Sequence, residues 1–220
     1  MSSIFSDKAS LLLRHIIAHP SRKWVVRDFV NELQIGRGWA AKVIKQLRED
    51  GCLDGGARGR TAYSQLHNPQ LLLEKWFEAY SYKQNGIFSY YSAHPDILDR
   101  LAELLKDSIY ATTLHCGANQ TTNYVANQEV HLYLPCETFE RDRLMLRKKL
   151  KLLELKEGGN VHFLNPYYKS SVFYGKKKHG DIWTVSYLQL LLDLYHYPAR
   201  GKEHADYLQK HLLEMSEPLD

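Results

Sequence analysis

The chain is short of cysteine and of long apolar runs, and each shortage closes off a class of protein. Its three cysteines, Cys52, Cys116 and Cys136, are an odd number at wide spacing. That suits neither a disulfide framework nor a CxxC metal knuckle, so free thiols in a reducing compartment are expected. No run of about 18 apolar residues occurs, and no charged-then-apolar leader ends in small residues, so neither a membrane span nor a signal peptide is expected. The chain reads as soluble and cytoplasmic, with no membrane partner. Internal repeats and low-complexity tracts are missing as well.

Catalytic signatures are equally scarce. There is no GxSxG, no glycine-rich phosphate loop followed by lysine, and no close pair of strand carboxylates of the kind that holds magnesium in nucleases. The 11 histidines include no HExxH, no HxH and no Cys/His cluster at ligand spacing. His131 and His162 sit in strand patterns, where a hydrogen-bonded histidine is the common finding. No catalytic residue, no metal and no cofactor is therefore expected.

What the chain does have is a core and an uneven charge. With 44% hydrophobic residues over 220 positions it can bury a real core, in two domains rather than one. Residues 1–68 carry 11 Lys/Arg against 6 Asp/Glu, whereas residues 69–220 carry 18 against 19. The positive surplus thus lies wholly in the first third, as binding to phosphates by counterion release requires.

That first third has a recognisable order. Ser6-Asp7 supplies a helix N-cap, Leu11, Leu12, Ile16 and Ile17 recur at helical spacing, and His19-Pro20 ends the helix. Ser21–Trp24 is a polar bridge; Val25, Val26, Phe29, Val30 and Leu33 give a second helix; Gln34-Ile35-Gly36 is a turn. In the third helix Ala40, Val43, Ile44 and Leu47 form one buried stripe, leaving Arg37, Gly38, Trp39, Ala41, Lys42 and Lys45 outward. Gly51 is placed as the left-handed residue past its end. Cys52-Leu53 and Thr61–Leu66 read as strands around a glycine-rich tip that carries Arg58 and Arg60.

Two helices at this spacing followed by a basic hairpin make a winged helix-turn-helix over 1–68, whose partner is double-stranded operator DNA. Arg37 is placed to reach a guanine edge or a flanking phosphate, and Lys42 and Lys45 suit phosphates. Arg58, Arg60 and Thr61 suit a wing touching backbone or a narrow minor groove. Trp39 either packs on sugar or a thymine methyl, or folds back on the core. Repressors with one such motif often dimerise to span two half-sites.

Pro69 starts a helix ending near Tyr80, a connector, and 69–86 is read as connector and linker. Residues 87–220 mix strands and helices without strict alternation, so the fold class is α+β: a winged helix-turn-helix followed by a mixed α/β domain. Strands are expected at 87–92, 110–115, 129–134, 152–155, 161–164, 171–174 and 182–185. Helices are expected at 95–105, 118–126, 139–149, 186–195 and 202–215. The basic runs at 147–151 and 176–178 either extend a DNA or partner surface or, as such runs more often do, form a solvated helix face and a hairpin tip.

The run LKEGGNVHFLNPYYKSSVFYG (155–175), Asp181–Ser186, and YLQLLLDLYHYPARGKEHADYLQKHLL (187–213) resemble the AbiEi-type antitoxins and regulators of type IV toxin–antitoxin systems, as do EVHLYLP (129–135) and the front domain. The resemblance implies an autorepressor with an N-terminal DNA-binding domain. Its C-terminal domain would oppose a nucleotidyltransferase-like toxin, with no catalytic residues to carry over. Two other readings stand beside it: a nuclease or nucleotide-processing enzyme using the winged helix to find its substrate, and a protein-binding adaptor. Charge segregation together with the lack of a catalytic motif favours the regulator.

Overall fold

Apolar residues at helical spacing make the first helix, α1 (Asp7–Ala18), which buries Leu12, Leu13, Ile16 and Ile17. These belong to a computed structural model that describes residues 4–56, 62–126, 128–215 and 217–219. Ser6 stands at the N-cap but its side chain makes no cap bond; instead the Ser10 hydroxyl donates to the Asp7 carbonyl at 2.6 Å. In α2 (Val26–Leu33) the Asp28 carboxylate accepts the Val25 N–H at 2.8 Å. Gln34, at φ 53°, then turns the chain. α3 (Arg37–Glu49) buries Ala40, Val43, Ile44 and Leu47, the stripe its spacing requires. Gly51 takes φ +75°, and the Cys52 N–H closes the helix end on the Leu47 carbonyl at 2.9 Å.

Two short strands follow, β1 (Leu53–Asp54) and β2 (Gln65–Leu66), antiparallel with Leu53 opposite Leu66. Just before β2, Ser64 exchanges two hydrogen bonds of 2.7 Å with Trp24, in the segment between α1 and α2. Trp24 is buried and stacks on Phe29 with ring centroids 4.9 Å apart. Asn68 caps α4 (Pro69–Ala79) by accepting the Leu71 N–H at 2.9 Å, with Pro69 at the first helical position. α4 buries Leu72, Leu73, Trp76 and Phe77, and the buried Arg14 lies 5.5 Å from the centre of the Trp76 ring. The stretch read as a connector is thus part of the core of the first unit, residues 1–80 with 219–220; residues 81–218 form the second.

The second unit contains β3 (Gly86–Tyr91), α5 (Ile97–Leu104), β4 (Ala111–Thr113), α6 (Leu114–Ala118), β5 (Val130–Tyr133), α7 (Phe139–Lys149), β6 (Leu153–Leu155), β7 (Val161–Asn165), β8 (Lys177–His179), β9 (Ile182–Thr184), α8 (Tyr187–Tyr195) and α9 (Gly201–Met215). Its strands form one sheet in the order β6-β3-β7-β5-β4-β9-β8. The β5–β7 and β4–β9 pairs are parallel and the others antiparallel, so the sheet is mixed. On one face Tyr90, Val130, Leu132, Val161 and Phe163 pack with Ile97, Leu101, Phe139 and Leu146 from α5 and α7. On the other, α6 packs on β4 and β5 and α8 on β4, while α9 packs on α6 and α8.

Three expectations fail here, each for a local reason. The helix expected over 118–126 ends at Ala118, because the Asn119 side chain takes over the backbone of the next turn. It donates to the Val125 carbonyl at 2.6 Å and accepts from the Tyr124 and Val125 N–H groups. Residues 171–174 are a turn rather than a strand, with the Val172 N–H bonded to the Tyr168 carbonyl at 2.9 Å. The lysine run expected as a hairpin tip forms β8 instead, and the tip itself is Gly180 at φ +58°. β5 alternates in polarity as a half-buried strand would, yet all four of its residues are buried.

Candidate nucleic-acid interface and a buried histidine row

The outward face of α3 is set by its inward stripe. Arg37, Gly38, Ala41, Lys42, Lys45 and Arg48 are exposed. Lys45 pairs loosely with Glu49 at 3.6 Å across one helical turn, and Arg48 donates to the Gly55 carbonyl at 3.4 Å, tying the helix to the start of the hairpin. Trp39 is half-buried: its indole N–H is shielded and has no hydrogen-bond partner among the described residues. The Lys42 ammonium lies 5.7 Å from the centre of its ring. Arg58, Arg60 and Thr61 lie outside the described residues.

Behind this face an ion network braces α1 against α2. Glu32 accepts from Arg22 and lies 2.7 Å from His15. The Arg22 hydrogen bond, with His15 adding, holds the Glu32 carboxyl down at about 2. Arg22 also covers the Trp24 ring at 3.9 Å. Arg48 and this brace were not among the residues singled out from sequence, where Arg48 reads only as part of the helix end.

The second unit holds a cluster that the sequence did not bring together. Strand register places Ser89 opposite His162, His162 beside His131, and His131 opposite Thr113, a polar row across β3, β7, β5 and β4. The His131 and His162 rings stack with centroids 4.4 Å apart, and the Ser89 hydroxyl lies 3.0 Å from His162 Nδ1. Burial, with His162 and His115 nearby, pushes His131 down to about 3; burial also lowers His162. Both rings are therefore neutral at ordinary pH. Glu129, next to the strand, places Oε2 3.9 Å from His131 Nε2 and accepts a 3.0 Å hydrogen bond from the Tyr197 hydroxyl. Among the described residues Glu129, His131 and His162 are the group whose ligand atoms could hold a metal ion, lying within 4.8 Å of one another.

Two further networks adjoin the row. The Ala199 carbonyl can only accept, so at 2.6 Å it makes His115 Nε2 a donor. His115 Nδ1 then accepts from His204 Nδ1 at 2.8 Å, and His204 Nε2 accepts from Thr122 at 2.8 Å, with both rings neutral. Deeper, the buried Asp193 of α8 accepts from Thr113 at 2.5 Å, from Tyr133 at 3.1 Å and from Gln189 at 2.8 Å. The signal that could have found the row is a repeated phrase. Val130-His131-Leu132-Tyr133 and Val161-His162-Phe163-Leu164 share a pattern, and two such strands side by side in parallel register must bring their histidines together.

The stretches 155–175 and 181–213 that carried the sequence resemblance supply β7, β9, α8 and most of α9. No helix among the described residues is long and apolar enough to cross a membrane. No curated protein and no solved structure matches the chain. A family model described as a transcriptional regulator, AbiEi antitoxin, type IV toxin–antitoxin system, matches residues 65–214, from β2 almost to the end of α9. The match spans more than half of the chain, and the protein belongs to the AbiEi antitoxin family of type IV toxin–antitoxin transcriptional regulators.

Proposed function

We propose that this regulator binds double-stranded DNA through a winged helix-turn-helix in residues 1–80 and represses its own operon, with residues 81–218 serving the antitoxic role against a nucleotidyltransferase-like toxin. On this reading α3 enters the major groove, the β1–β2 hairpin is the wing, and the chain acts by binding rather than by turnover. A homodimer would span two half-sites.

The observation that carries the proposal is the division of α3. One stripe is buried while Arg37, Lys42, Lys45 and Arg48 are exposed on the rest of the helix. Support also comes from the antiparallel bridge between Trp24 and Ser64, which adds a third strand position to the hairpin, and from the positive surplus of residues 1–68. The family match begins at Gln65, so α1–α3 stand ahead of it, and the DNA assignment of α3 rests on these features of its own. The test is fluorescence anisotropy with DNA from upstream of the protein's own gene, against scrambled DNA of equal length. Wild-type protein is expected to prefer the upstream DNA, and Arg37→Ala to lose that preference. Equal binding of both DNAs by wild type, or unchanged preference in Arg37→Ala, would overturn the recognition-helix assignment.

A further inference from the structure

Buried imidazoles ordinarily find a hydrogen-bond partner, because an unmet polar group in the interior costs about 1–3 kcal/mol. His131 is 5% exposed, and its Nδ1 is shielded from solvent with no partner among the described residues. Its other nitrogen lies 3.9 Å from the Glu129 carboxylate, too far for a hydrogen bond. The ring thus sits beside a carboxylate and a second imidazole without bonding to either.

We propose that Glu129, His131 and His162 form a binding site for a divalent transition-metal ion of the zinc class. Two imidazoles and one carboxylate are a ligand set suited to zinc, which leaves a fourth position open. The two histidines come from adjacent parallel strands in the same register, so the sheet itself holds them together. Each of two ligands has an outer partner of the kind that orients metal ligands. The Ser89 hydroxyl lies on His162 Nδ1, which directs the Nε2 lone pair inward, and the Tyr197 hydroxyl donates to Glu129. In a tetrahedral site with bonds of about 2.0–2.1 Å the ligand atoms stand about 3.4 Å apart. Closing the present spread of up to 4.8 Å takes a turn of the two stacked imidazoles, so that both lone pairs point at one ion, and an inward movement of Glu129. Glu129 can make it, since its side chain is 43% exposed and it borders a cleft of about 410 Å³ that it shares with Cys116, Asn119 and Asn160. That cleft also gives the ion a way in. A cation between His131 and Glu129 would bond Nε2, the nitrogen that now lies 3.9 Å from the carboxylate, and would leave the ring's one proton on Nδ1.

The site is independent of the DNA-binding assignment and is tested by metal content and affinity. Untagged protein is loaded with Zn²⁺, dialysed, and assayed by elemental analysis; Co²⁺ serves as a spectroscopic probe through its visible absorption. One tightly held ion per chain is expected, with a tetrahedral Co²⁺ spectrum. Glu129→Gln and Tyr197→Phe test the carboxylate and its support without removing a buried ring. Tyr197→Phe is expected to weaken binding about 10-fold or more, and Glu129→Gln by more than that. His162→Ala should abolish the Co²⁺ spectrum, and a circular dichroism spectrum matching wild type shows that the variant is folded. Less than one retained ion in wild type overturns the proposal. So does undiminished affinity in Glu129→Gln, which would put the ion elsewhere, for example at the His15–His19 pair, whose ring centroids are 5.3 Å apart.

Discussion

The exposed face of α3 and the histidine row of the second unit both collect polar residues, yet they are built in opposite ways. On α3 the charges project into solvent from a helix whose stability comes from the stripe behind them. Each can be removed without leaving a buried group unpaired. In the row and the networks beside it the polar atoms are interior and meet across elements far apart in sequence, so removing a shared acceptor strands its donors. A surface evolved to bind should tolerate substitution in folding and fail in binding; an interior network should do the reverse. The largest expected effect is therefore at Asp193. Asp193→Ala leaves the donors of Thr113, Tyr133 and Gln189 without their shared acceptor, which should cost about 3 kcal/mol or more. Urea unfolding monitored on the second unit would measure it, and a loss below about 1 kcal/mol would erase the contrast.

How much was legible in the sequence follows the same division. α3 announced its buried and exposed faces because both are written within 13 residues, at a period of 3.6. α7 and β7 were similarly local. The row was not legible, because its two histidines meet only through the parallel pairing of β5 with β7, strands separated in the chain by α7 and β6. Glu129–Leu134 alternates in polarity like a strand with one solvated face, whereas His131 and Tyr133 are buried. Trp24 reads in the sequence as part of a polar bridge because a single pair of backbone bonds to Ser64 leaves no periodic trace. The resemblance to the AbiEi family carried what local patterns could not, since it was read over the same C-terminal stretch that the family model matches.

Acid sharpens the comparison next. His204 is held down at about 4 by burial, with His115 and Arg200 adding and Glu203 opposing. Tyr124, at 5.7 Å, also faces it. A histidine depressed in the folded state contributes stability that is complete above its unfolded value near 6.5 and is lost as pH falls from there toward 4. The loss proceeds at up to about 1.4 kcal/mol per pH unit for each such proton. A second proton on His115 would set two N–H groups against each other across the 2.8 Å contact. Unfolding of the wild type followed from pH 7 to pH 4 should show this limb, and His204→Gln should flatten it by about one proton. A limb of the same steepness in the variant would place the acid sensitivity elsewhere.

On the binding side, Arg37→Ala is expected to cost about 1–3 kcal/mol for the preferred DNA sequence, with little change on scrambled DNA. Because Arg37 is exposed, folding stability should move by less than about 0.5 kcal/mol. A drop in melting stability as large as the drop in binding would mean that the α3 face is structural after all, and the two regions would no longer differ in kind.

Lys45→Ala gives the smallest effect and the finest test. Its ammonium is 77% exposed and its partner Glu49 is 55% exposed, at 3.6 Å. An exposed pair one turn apart on a helix is worth about 0.3–0.5 kcal/mol, and alanine's higher helix propensity offsets part of that. Stability should therefore barely change. A lysine that neutralises one phosphate displaces about one counterion, so its loss should weaken binding to all sequences alike and lower the salt slope by about 1. Glu49→Gln, which frees Lys45 from its intrahelical partner, should move affinity the other way at low salt while leaving that slope in place. If Lys45→Ala instead changes sequence preference, the residue reads bases rather than backbone, and the division of roles along α3 between Arg37 and the lysines must be redrawn.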